Sequence, residues 1–77
     1  MNFDRIANKL QRALLKKGRM IKINRVQMYS ERRNTMLTRY SVIEPTMVDG
    51  KIKNVTLLET FQMREVVMLL KDMYGGG

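Results

Sequence analysis

The 77-residue chain contains neither cysteine nor histidine. Without cysteine there are no disulfides, no thiol nucleophiles and none of the usual thiolate zinc sites. Without histidine the Ser–His and Cys–His nucleophile pairs and imidazole acid–base catalysis are also excluded. The seven carboxylates are scattered, and no glycine-rich phosphate loop occurs. The sequence therefore predicts a protein that is not an enzyme and that takes no cofactor, metal or small-molecule substrate.

Long apolar runs are also missing. The longest unbroken run, residues 66–70, is five residues long, whereas a helix that spans a bilayer needs about 20. The first twenty residues lack the hydrophobic core of a secretory signal. We therefore expect no membrane span and a cytoplasmic location.

Positive charge is abundant and unevenly placed. The chain has 15 Lys and Arg residues against seven Asp and Glu, a net charge of +8, and residues 1–39 hold 11 of the cations with only two of the acids. Such an asymmetry favours a basic surface for nucleic acid or an acidic membrane.

The strongest pattern lies in residues 3–17, where Arg5, Lys9, Arg12 and Lys16 recur at helical spacing. On a helix these four side chains fall within about 60° of one another. The apolar residues of the segment fall on the opposite side. Like charges four residues apart are mutually repulsive, and no acid is interleaved. The pattern predicts an amphipathic helix with a cationic face for phosphates; a solvated face and a membrane-surface helix are the alternatives.

The first helix is expected to begin after the N-cap residue Asn2 and to end at Gly18, which suits a left-handed C-cap. Residues 19–29 and 36–43 read as strands joined by a polar loop, with a bulge near residues 24–25 because the apolar positions change parity there. Pro45 is expected to interrupt the sheet.

Asp49-Gly50 is a two-residue turn signal that joins a short strand at 46–48 to another at 51–57. A second amphipathic helix is expected from Thr60, as its N-cap, to Tyr74. The prediction is one α+β domain over residues 1–74, followed by a flexible glycine tail at 75–77. Its order is α-β-β-β-α, with an antiparallel sheet of three or four strands and both helices packed on one face. Lys22, Arg39 and Lys53 would lie on the open face.

Two resemblances accompany this pattern. The opening NFDRIANKLQRALLKKG, the central IKINRVQMYSERRNTMLTRYSVI and the closing REVVMLLKDMY resemble short proteins of bacteriophages and mobile elements in low-GC Gram-positive bacteria, which implies a cytoplasmic, phage-related setting. Val55, Thr56, Leu57 and Phe61 are similar to the entry into the helix of coactivator-type single-strand-DNA-binding domains. Those domains lack a long basic N-terminal helix.

The sequence leaves two functional hypotheses open. The first is a non-enzymatic accessory protein that binds DNA or RNA electrostatically through Arg5, Lys9, Arg12, Lys16, Lys22, Arg32, Arg33 and Arg39. The second is a protein–protein adaptor, for an acidic partner, or a small homodimer with an exposed Phe61/Met68 contact.

Overall fold

The computed structural model describes residues 2–76 and contains two helices and one three-stranded sheet. The elements are α1 (Phe3–Lys16), β1 (Lys22–Ser30), β2 (Thr35–Val48), β3 (Lys51–Thr60) and α2 (Met63–Gly76). The strands are antiparallel in the order β1-β2-β3, and the helices pack on each other and on one face of the sheet. The predicted α+β fold and its element order are confirmed.

Local signals define α1 as the sequence predicts. The Asn2 Oδ1 atom accepts a hydrogen bond from the backbone N–H of Arg5 at 3.2 Å, and Lys17 is the C-cap. Gly18 follows with φ of +89°, a conformation that favours a residue without a side chain.

The core lies between the helices and the centre of the sheet. Its fully buried side chains include Leu14 of α1, Val42 of β2 and both Val66 and Leu70 of α2. Burial of these apolar side chains is the main force that holds the helical layer on the sheet. Around this centre Ile23, Tyr40 and Leu58 are partly buried against the same cluster.

The sheet is staggered because β2 is longer than its neighbours. β1 pairs with residues 35–43 of β2, and β3 pairs with residues 40–48. The two hairpins therefore extend in opposite directions, and only residues 40–43 have a strand on both sides. Asp49 and Gly50 join β2 to β3 with φ of +50° and +77°, so the predicted two-residue turn is confirmed; two positive φ angles are typical of type I′.

The predicted break at Pro45 is wrong. β2 continues through Pro45, which pairs with Asn54 of β3. β1 begins at Lys22, opposite Ile43, so β2 has a free edge at Pro45. A missing backbone N–H is tolerated at such an edge.

The predicted bulge in β1 is also wrong. β1 pairs with β2 in continuous register from Lys22 to Ser30, and the irregularity lies where Val42 and Ile43 face Leu58 and Thr56 of β3. The parity change in the sequence has another origin: Ile23 faces the helices, whereas Val26 lies on the other side of the sheet.

The two sides of the sheet follow from alternation along the strands. Tyr40 and Val42 of β2 pack toward the helices, so the odd-numbered residues of β2 and their partners point away. We call that second side the uncovered face; it includes the pairs Lys22–Ile43, Val26–Arg39, Met28–Leu37 and Met47–Ile52. Lys53, paired with Thr46, points to the other side, contrary to the prediction.

Both ends of α2 differ from the prediction. Thr60 is the last residue of β3, and its hydroxyl accepts from the backbone N–H of Gln62 and donates to a carboxylate oxygen of Glu65, so it holds the segment that precedes the helix. The helix continues through Gly75 to Gly76. Gly77, the end of the predicted tail, lies outside the described residues.

Candidate nucleic-acid interface

Four cations form one line on the outer side of α1. Arg5, Lys9, Arg12 and Lys16 are all exposed, because the opposite side of the helix is the one that buries Leu14. We call these four residues the basic column. Eleven residues at 1.5 Å each give it a length of about 16 Å.

The basic column has no carboxylate partner among residues 2–76. The two ion pairs in that range use other cations: Arg19 with Glu44 at 3.0 Å, and Arg25 with Asp4 at 3.3 Å. Asp4 is the acidic residue of α1, and it pairs with Arg25 of β1 and not with a cation of the column. The four positive charges are therefore available to an external anion.

Lys22 extends this surface across a shallow groove. Gln11 of α1 donates from Nε2 to the carbonyl oxygen of Ile21 at 2.7 Å, which fixes the helix beside the start of β1. The resulting groove, of ≈ 490 Å³, is lined by Arg12 of α1 on one side and Lys22 of β1 on the other. The predicted site residue Lys22 therefore lies near the column.

A tyrosine lies on the opposite flank of the column. Tyr74 of α2 lines a groove together with Lys9, Arg12 and Lys16. Lys17 fixes it there: its Nζ atom is 2.8 Å from the Tyr74 carbonyl oxygen and 4.1 Å from the centroid of the ring. The sequence gives no direct signal for this placement because it depends on how the C-terminal ends of the two helices meet.

Three of the predicted site residues lie elsewhere. Arg32 and Arg33 are exposed in the turn between β1 and β2, and at about 3.4 Å per residue that tip is about 27 Å along β1 from Lys22. Arg39 is half-buried on the uncovered face, beside Val26, and its Nε atom is enclosed without an acceptor in the described structure. The structure thus brings five of the eight predicted cations together.

The other predicted contact, Phe61 and Met68, is on the helical layer. Both side chains are more than half exposed. Phe61 lies in the short segment before α2, and Met68 points outward from α2, away from the buried Val66 and Val67.

Arg19 has a structural role instead of a binding one. Its Nε and Nη2 atoms donate to the two carboxylate oxygens of Glu44 at 3.1 and 3.0 Å. The hydrogen bond that Arg19 donates to Glu44 raises the pKa of Arg19 above its usual value. The pair fixes the α1–β1 connection to β2.

Comparison with known proteins adds no relative: no family model, curated protein or solved structure matches the chain. Within residues 2–76, neither helix has the length and hydrophobicity needed to cross a membrane. The same range contains no group of three acidic, histidine or cysteine side chains that could hold a metal ion.

Proposed function

We propose that this protein binds the phosphate backbone of nucleic acid through the basic column and Lys22, without catalysis. The observation that carries the proposal is a line of four exposed cations that lacks any carboxylate partner in the described structure. Keeping like charges four residues apart destabilises a helix slightly. A bound polyanion offsets that repulsion and releases its own counterions.

The geometry favours contacts to phosphates over contacts to base edges. Lys and Arg side chains along one helix face provide charge at regular intervals, and such contacts carry no direct sequence information. Tyr74, beside the column, offers an aromatic ring on which an unpaired base can stack. A single strand that follows the column would therefore gain one contact that a duplex lacks.

The test measures affinity by fluorescence anisotropy with a labelled single strand and the matching duplex. With five phosphates neutralised, raising salt from about 50 to about 200 mM should weaken binding by about 100- to 500-fold. Affinity that does not change with salt would contradict the proposal.

A matched pair of variants separates the column from net charge. Changing Arg5, Lys9, Arg12 and Lys16 to Gln should abolish most binding and leave a salt slope of about −1, from Lys22 alone. The control changes Lys51, Lys53, Arg64 and Lys71 to Gln, which removes the same number of exposed charges elsewhere. The control should keep most of the affinity, and an equal loss in both variants would contradict a site on α1.

Tyr74 has its own test. Tyr74→Ala should weaken binding of the single strand by about five- to 150-fold, the range for the loss of one stacked base, with a smaller change for the duplex. Equal losses for the two forms would assign Tyr74 to the positioning of Lys17 and not to stacking.

A further inference from the structure

The chain has a larger solvent-accessible surface than folded monomeric proteins of the same mass usually have. Its accessible surface is 6058 Å² for a mass of 9.1 kDa, whereas folded monomers of that mass expose about 4,900 Å². Its radius of gyration is 14.0 Å, against about 11.5 Å for a compact domain of this length. The surplus of about 1,200 Å² exceeds the roughly 800 Å² that each partner buries in a standard interface.

The uncovered face of the sheet carries several exposed apolar side chains. Its most exposed apolar side chains are Met47 and Ile52, with 66% and 71% of their surface accessible. They line a shallow, largely apolar groove of ≈ 590 Å³ together with Met20 and Pro45. Isolated exposed apolar residues are normal, but a contiguous patch of this kind marks an interaction surface.

The apolar and polar residues of the uncovered face are arranged so that this face is complementary to a second copy of itself. One end carries Val26, Met28 and Leu37, and the other carries Ile43, Met47 and Ile52, with Lys22 beside Ile43 at the start of β1. Between the two apolar ends runs a polar stripe formed by the row Asn24–Ser41–Glu59 and the neighbouring Arg39. A twofold axis that lies between two copies, parallel to their sheets, brings apolar ends onto apolar ends and stripe onto stripe, whether it runs along the strands or across them.

We propose that a second copy of this chain covers the uncovered face, with the two sheets packed face to face about a twofold axis. The stripe contains one cation and one carboxylate. When the two stripes meet, Arg39 of one subunit can therefore pair with Glu59 of the partner subunit. Packing sheets this way buries apolar surface as in a β-sandwich.

The basic column remains free in this dimer because α1 lies on the other side of the sheet. Lys22 lies at the border of the two surfaces, because it lines the groove beside the column and also the apolar groove on the uncovered face. The dimer therefore leaves the four cations of the column free, and Lys22 is the residue that the two surfaces share. The dimer also carries two columns that face in opposite directions.

The test is the mass of the purified full chain in solution, measured by sedimentation equilibrium at high salt so that no nucleic acid is bound. We expect twice the 9.1 kDa chain mass. Ile52→Glu should convert the protein to a monomer, since it places a charge in an apolar contact whichever way the axis runs. The side chain is exposed in the single subunit, so the change should not disturb its fold. Val26→Glu, at the other apolar end, should do the same.

Met68→Glu is the matched control because it places the same charge on an equally apolar, exposed residue of α2. It should stay dimeric. Circular dichroism of each variant should match the parent. If Ile52→Glu fails to fold, Val26→Glu decides whether the uncovered face is the one that is buried. A monomeric parent at high concentration, or dissociation by Met68→Glu but not by Ile52→Glu, would overturn it.

Discussion

Leu14 and Leu15 are adjacent in α1 but lie in opposite environments. Leu14 is fully buried in the core, whereas Leu15 is 55% exposed. Leu14→Ala leaves a cavity between the helices and the sheet and should lower the free energy of unfolding by about 3 kcal/mol. Leu15→Ala should change it by less than about 0.5 kcal/mol. Urea unfolding at one fixed protein concentration measures both changes in the free energy of unfolding. Equal decreases for the two variants would contradict the burial of Leu14 in the core.

Single residues with strong local preferences were predictable from sequence. Asn2 at the helix start, Gly18 at its end and the Asp49-Gly50 turn each depend on neighbours within a few residues, and each is found as predicted. Pro45 was not predictable in this way. Whether a proline is tolerated depends on where the adjacent strand begins, and that is a property of the β1–β2 pairing.

At the scale of elements, the β2–β3 hairpin depends on the left-handed conformation of its turn. Gly50 has φ of +77°, and a side chain in that region costs about 1–2 kcal/mol. Gly50→Ala should therefore lower the free energy of unfolding by about 1 kcal/mol or more. Gly75→Ala is the matched control because Gly75 is helical and a Cβ there meets nothing within 4 Å. It should be neutral or stabilising, and a loss as large as that of Gly50→Ala would contradict the turn geometry.

The basic column is expected to lower the stability of α1 and to increase the affinity for nucleic acid. Lys9 lies between Arg5 and Arg12 on the column. Lys9→Glu replaces two repulsions with two attractions and should stabilise the fold by a few tenths of a kcal/mol at low salt. It should also weaken nucleic-acid binding more than Lys9→Gln does. Unfolding and anisotropy measurements on the two variants test this, and tighter binding by Lys9→Glu would count against a polyanion on this face.

The arrangement of β1 was harder to predict than that of either helix. Each helix buries one side, so the spacing of its apolar residues identifies that side directly. A strand can present apolar residues on both sides of the sheet. Ile23 faces the helices while Val26 and Met28 lie on the uncovered face, and this alternation looks like a bulge in the sequence. The same parity change is the sequence signal for a second apolar surface.

At the scale of the whole molecule, the sequence predicted the basic column and not the distribution of the remaining cations. The column depends on the helical period of one segment. The positions of Arg32, Arg33 and Arg39 relative to it depend on strand length and on which side of the sheet the helices cover. Tyr74 joins the site for the same tertiary reason, through Lys17.

A sheet with one uncovered apolar face should be more stable when that face is buried, so the stability of this protein should depend on its concentration. For a dimer that unfolds to separate chains, a hundredfold rise in concentration adds about 1.4 kcal/mol per chain by mass action. That should raise the melting temperature by about 5–10 °C for a chain of this size. Ile52→Glu should melt at one temperature whatever its concentration, and below the parent at high concentration. Calorimetry across the concentration range measures both, and a parent melting temperature independent of concentration would mean that the uncovered face stays in contact with water.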